Sequence, residues 1–186
     1  GAWWGVDRYG VYRFRILIDP TSETALLTIN AVDMVRHLQR LDSELPTYKQ
    51  TIRYQPNYTV LQGLALAGGV STARRGVLAR SALEVSATTA SVQTAYLLAS
   101  EAFTDSLMDV RADASTEATR RQALRGTYRD RYSFAVPLND ETQDIDLGTI
   151  LTVKHPRFEL TAGKTFVVMH VEPDAKSESI ELEVWG

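Results

Sequence analysis

No cysteine occurs anywhere in the 186-residue sequence. That excludes disulfides, thiolate metal sites and a cysteine nucleophile. It fits a reducing compartment, and equally a protein that survives outside cells without redox chemistry. Histidine is also scarce, with three residues. No apolar run approaches the ~18 residues that a membrane-spanning helix needs. Charge of one sign is missing too: the net value is −3, far from the basic footprint of a nucleic-acid binder. No membrane span and no specific nucleic-acid binding are therefore expected. The opening Gly1-Ala2-Trp3-Trp4-Gly5 has neither an initiator Met nor a basic-then-apolar signal. It is read as the start of a piece cut from a longer protein, with Gly1 a candidate expression scar.

What is present belongs to a globular protein: 44% hydrophobic and 23% charged residues. The length suits one domain with a good core, or two small lobes. Residues 139–186 carry ten acidic and four basic side chains, a balance of −6, so the rest sums to +3.

The clearest periodicity lies at the C-terminal end of the sequence. Ile180, Leu182 and Val184 alternate with Glu181 and Glu183, the pattern of a half-buried strand. Two further β-rich runs precede it, 147–157 and 163–171. Near the other end, Tyr12, Phe14, Ile16 and Ile18 share one face by period two while Arg13 and Arg15 take the other. With Trp3-Trp4 and a turn at Asp7-Arg8-Tyr9-Gly10, they predict a β-hairpin. Further strands are expected over 25–29, 47–54, 81–88 and 132–136. A short helical turn is expected at 32–38 and helix across 59–80, with Ser71 as an N-cap. Residues 92–108 fit either helix or irregular structure. The strongest helix spans 114–125, with Asp113 as its cap and Gly126 just beyond its end. Together these predict an α+β fold, mostly antiparallel β. Its expected division is a β-rich lobe at 1–60, a helical or mixed insertion at 61–130, and closing strands at 131–186, with one compact domain overall as the alternative.

Chemistry-bearing groups are few. His155, His170 and Glu172 are residue types that can hold a metal, but no ligand-spaced cluster accompanies them and strand histidines usually lie at the surface. No Gly-x-Ser-x-Gly elbow occurs, and the glycines at 63–69 lack the Gly-Lys-Ser/Thr ending of a phosphate loop. Asp140, Glu141, Asp144 and Asp146 lack calcium-loop spacing. No catalytic residue, metal or cofactor is assigned, and the chain is read as a non-enzyme. Arg120, Arg121 and Arg125 sit in an arginine-rich stretch interleaved with acids. Such a stretch is either a salt-bridged solvated face or an interface with an acidic partner. With Trp3, Trp4 and Trp185 they make up the candidate interface residues.

Three stretches together resemble the tail hub or baseplate-type proteins of tailed bacteriophages and prophages. The first is Tyr54-Gln55-Pro56-Asn57-Tyr58-Thr59-Val60. The second is Ala114-Ser115-Thr116-Glu117-Ala118-Thr119-Arg120-Arg121, followed by 128–134. The third runs through Leu147-Gly148, His155-Pro156-Arg157-Phe158 and Gly163-Lys164 to Glu181-Leu182-Glu183-Val184-Trp185-Gly186. Residues 54–186 carry the likeness. It implies barrel-like lobes with inserted helices, a homo-oligomeric ring (a trimer) around the tail axis, and a structural role in the virion tail among other tail proteins. A receptor- or carbohydrate-binding module, motivated by the terminal tryptophans, is the alternative. A tail-associated cell-wall hydrolase is a third reading, which would need paired carboxylates ~5–9.5 Å apart.

Overall fold

The computed structural model describes residues 2–6 and 10–186, apart from the side chains of Ala2, Trp3 and Leu64. The hairpin turn expected at 7–10 thus lies largely outside the described residues. The chain divides into two compact units, residues 1–44 with 129–186, and residues 45–128.

The first unit contains strands β1 (Ala2–Val6), β2 (Tyr12–Ile16), β3 (Leu27–Asn30) and β4 (Arg36–Leu41). The second unit supplies β5 (Lys49–Tyr54), α1 (Thr72–Leu78), β6 (Leu83–Thr88), α2 (Ala90–Ala95), β7 (Glu101–Asp105) and α3 (Arg111–Arg125). The chain then returns to the first unit through β8 (Arg131–Pro137), β9 (Ile150–Lys154), β10 (Lys164–Asp174) and β11 (Ser179–Trp185).

In the first unit, β1 and β2 form an antiparallel hairpin, as their alternation predicts. The remaining strands make one sheet in the order β3-β9-β10-β11-β8-β4, antiparallel except for the parallel β3–β9 pair. Its two edge strands follow one another in sequence. Six flat strands would set those edges about 24 Å apart. The connection from Asn30 to Arg36 reaches at most roughly 20 Å when fully extended, and part of it is a 3-10 turn, Ala31–Asp33. The sheet therefore has to curl, and it forms a half-barrel. Inside the curl lie Ile29, Leu38, Tyr132, Phe134, Val136, Leu151, Val153, Phe166, Val168, Ile180, Leu182 and Val184, all buried. Tyr132 meets the Phe166 ring edge-on with centroids 5.6 Å apart, the geometry that aromatic quadrupoles favour.

In the second unit, β5 is flanked by β6 (antiparallel) and β7 (parallel). The long helix α3 covers one face of this sheet. Ala114 and Ala118, one turn apart, pack on Ile52 and Tyr54, and their small side chains let the helix approach closely. The α+β, mostly antiparallel, barrel-like architecture expected from the sequence is the one observed.

Three local expectations are corrected. Residues 32–38 form no helical turn: a 3-10 turn ends at Asp33, and β4 begins at Arg36. Pairing decides this, since the Val35 N–H donates to the Ala135 carbonyl at 2.9 Å and Leu38 enters the core. Of the span 59–80, only Thr72–Leu78 is α-helical, with a 3-10 turn at Gly63–Ala65. Ser71 does cap α1, its hydroxyl accepting from the Arg74 N–H. Finally, α3 starts at Arg111 with Val110 at the N-cap. Asp113 lies within the first turn, where its charge still complements the helix dipole.

Candidate interface

The arginines of α3 divide into two groups. Glu117 sits one turn before Arg120 and Arg121, and both reach back to it. Arg120 donates through Nε and Nη2 to the two carboxylate oxygens at 2.7 and 2.8 Å. Arg121 Nε donates at 2.6 Å, and its Nη1 also donates to Thr104 Oγ1 on β7 at 2.8 Å. The Arg120 hydrogen bonds, followed by those of Arg121, pull the Glu117 carboxyl down to about 2. These two arginines thus serve the internal frame of the second unit, and Arg121 fixes α3 to β7. Arg125 differs: its side chain is exposed, while its backbone carbonyl accepts from the Thr47 N–H at 3.0 Å.

Gln122 continues the sheet-facing stripe of Ala114 and Ala118, and it is buried. Its amide donates to the Thr47 carbonyl at 3.0 Å and to Thr89 Oγ1 at 3.1 Å. This joins the end of α3 to the entry of β5 and the exit of β6. The opposite face of the same sheet is charged. Lys49 pairs with Glu101 at 2.7 Å, Arg53 pairs with Glu84 at 3.2 Å, and the Arg53 guanidinium lies 4.7 Å from the centroid of the Phe103 ring. Cross-strand neighbours of opposite sign are what such a half-exposed surface favours.

The tryptophans also separate. The Trp3 side chain is outside the described residues. Trp4 stands exposed on the hairpin, opposite Phe14. Trp185 is half-buried, and the Arg129 guanidinium lies 5.1 Å from its ring centroid. Arg129 is itself buried, and it makes a two-pronged contact with Asp19, Nη2–Oδ2 2.6 Å and Nη1–Oδ1 3.1 Å. That guanidinium, with help from the Thr21 hydroxyl and N–H, holds the Asp19 carboxyl well below the usual carboxylate range. Nothing in the sequence pairs Asp19 with Arg129. Residues 110 positions apart leave no periodic signal, and the Asp19-Pro20 dipeptide advertises only a strand break.

The histidines lie apart from this network. His155 Nδ1 accepts from the Arg157 N–H at 3.1 Å, and its ring stacks on Phe158. His170 and Glu172 are neighbours on β10, 3.6 Å apart and both exposed. Among the described residues, no group of three or more His, Asp or Glu side chains is placed to hold a metal ion. In the acidic loop, Asn139 Oδ1 accepts from the N–H groups of Glu141 and Thr142, so the loop is organised by its own backbone.

No protein-family model and no curated protein sequence matches this chain. Solved structures do. A chain from the virion of the native gene transfer agent particle aligns over 92% of this chain with a TM-score of 0.57 and 16% identity, and 33% of that chain is covered. The 43 kDa tail protein of prophage MuSo2 from Shewanella oneidensis aligns over 98% with a TM-score of 0.53 and 13% identity, and 49% of that protein is covered. This chain spans between a third and a half of the length of these two solved chains. The likeness to tail proteins read from the sequence thus reappears in three dimensions, and the fold of this chain is that of part of a prophage tail protein.

Proposed function

We propose that this chain is a structural component of a phage or prophage tail, hub- or baseplate-like, acting through protein–protein assembly and not through catalysis. The supporting observation is the fold likeness, which runs through both compact units and covers 92–98% of the chain against a virion-particle chain and a prophage tail protein. Its partners are other tail proteins and further copies of itself, in a closed ring of three. Its place is the virion tail, after synthesis in the cytoplasm of the bacterial host. The solvent-facing Arg125 and Trp4 are the candidate interface side chains that the fold leaves available, whereas Arg120, Arg121 and Trp185 are engaged within their own units.

Immunogold electron microscopy of purified particles tests this reading. Antibody against the chain should decorate the tail and its tip. Decoration of the capsid, or particles that lack the chain altogether, would overturn it.

A further inference from the structure

The β1–β2 hairpin carries an apolar face that no described part of the chain covers. Trp4 lies directly across from Phe14, and Val6 from Tyr12. Alternation puts Ile16 on the same side. Exposure is 67% for Trp4, 69% for Tyr12 and 79% for Phe14, and Val6 and Ile16 are exposed as well. At roughly 200 Å² per ring, the three aromatics alone leave about 400 Å² in water. The largest apolar patch on an ordinary monomer is about 300–600 Å² and is often functional. Adding Val6, Ile16 and the exposed Ile18 brings the face toward the ~800 Å² per partner of a stable interface. A lone two-stranded hairpin is marginal in water at best, so this element has reason to be covered.

We propose that this face is a self-association surface, meeting the same face of the other copies on the axis of a symmetric homo-oligomer. The face holds no charged side chain among Trp4, Val6, Tyr12, Phe14 and Ile16. Copies that meet there encounter no like-charge repulsion. Arg13 and Arg15 alternate with these residues and so lie on the opposite side of the hairpin, where they remain outside the contact. Identical faces gathered on a rotation axis supply each ring with apolar area and with edge-to-face or offset partners. The proposal assigns a contact surface to the homo-oligomer part of the tail reading and rests on that part. A chain that stays monomeric would refute it while leaving the location in the tail untouched.

The test is sedimentation velocity across a concentration series, with wild type, Phe14→Asp and Arg15→Gln. Wild type and Arg15→Gln should associate reversibly into one defined oligomer, and Phe14→Asp should weaken association by about 30-fold or more. Because the sequence has no cysteine, Phe14→Cys introduces a single thiol, and mild oxidation should crosslink it between copies. Val32→Cys, at an exposed position of the same unit, should stay uncrosslinked. This second readout keeps the test valid if Phe14→Asp fails to fold. A monomeric wild type, an oligomer indifferent to Phe14→Asp, or crosslinking equal at both cysteines would each overturn the proposal. So would flotation of a monomeric wild type with phosphatidylcholine–phosphatidylglycerol vesicles that Phe14→Asp abolishes, which would assign the face to a lipid surface instead.

Discussion

Arg129 and Asp19 close the first compact unit: a buried guanidinium from the segment before β8 grips a half-exposed carboxylate that caps the 3-10 turn following β2, with contacts of 2.6 and 3.1 Å. The link spans 110 residues of sequence, so it ties the N-terminal segment to the C-terminal strands. The same guanidinium lies over the Trp185 ring, and its planar shape suits both contacts. Asp19 does two tasks, because its Oδ1 also accepts from the Thr21 N–H at 2.9 Å and begins a 3-10 turn.

Asp19→Asn should therefore destabilise the protein by about 2–4 kcal/mol, because it removes the carboxylate that forks onto a buried guanidinium. Arg129→Lys should recover less than half of the loss seen in Arg129→Ala, since an ammonium cannot reproduce the fork. Urea denaturation midpoints across the Asp19/Arg129 double-mutant cycle would measure the coupling. Additive losses would show that the two residues act separately.

Glu117 predicts an acid-dependent contribution from the second unit. Its folded value is depressed from 4.5 to about 2, so the unfolded chain takes up the proton first as pH falls. The stabilisation is fully present above pH 4.5 and is lost as pH drops toward 2. Glu117→Gln should lose about 1–2 kcal/mol at neutral pH. The gap between mutant and wild type should then narrow across that window. Thermal unfolding followed at a series of pH values would show it, and a gap independent of pH would place the loss in packing instead.

How much of this was legible in the sequence depends on how locally each feature is encoded. The alternation in β2 and β11 depends on neighbours two residues apart, and both strands stand where period two puts them. Ser71 caps α1 because a hydroxyl can reach an amide three residues on. Residues 32–38 misled because Val35 and Leu38 satisfy helical spacing while their backbone finds partners on β8, about 100 residues away by sequence. Helix α3 was recognisable, but its start was misplaced. A short acid reads as a cap, whereas tertiary packing of Ala114 and Ala118 extends the helix back to Arg111. The charge-rich stretch around Arg120 looked the same as an interface or as a salt-bridged face. Only the placement of Thr104 beside Arg121 separates these roles, because it comes from another strand. The fork between Asp19 and Arg129 had no local signature at all.

Gly163 is required by both backbone and space. It has φ +87, and a Cβ there would meet Lys154 and Thr152 side-chain atoms at 3.0–3.1 Å. It lies just before β10, where the chain turns back to pair with β9. Gly163→Ala should cost about 1–2 kcal/mol through left-handed strain and crowding together. Differential scanning calorimetry would record a fall in Tm of several degrees, and an unchanged Tm would mean that the turn relaxes without loss.

Gln122 tests whether one buried amide holds the rim of the second unit. Its Nε2 serves two acceptors, and Oε1 is buried without a partner. Gln122→Met keeps the length but removes both donations, leaving the Thr47 carbonyl and the Thr89 hydroxyl short of a donor. A loss of about 1–3 kcal/mol is expected. Hydrogen exchange should speed up first at Thr47 and Thr89, and little change elsewhere in β8–β11 would confine the effect to residues 45–128.

The C-terminal strand gives the sharpest contrast between neighbours. Leu182 is fully buried and sits across from Phe134 on one side and Val171 on the other. Glu183 points outward and meets Arg131 at 3.2 Å. Leu182→Ala removes core volume from a strand hydrogen-bonded on both sides, so collapse around the cavity is restricted, and a loss of about 2–5 kcal/mol follows. Glu183→Ala removes a half-exposed ion pair and should cost at most about 1 kcal/mol. Chemical denaturation of the two variants side by side decides the point. Equal losses would mean that the outer face of β11 is held as firmly as the inner one, which a surface open to solvent would not produce.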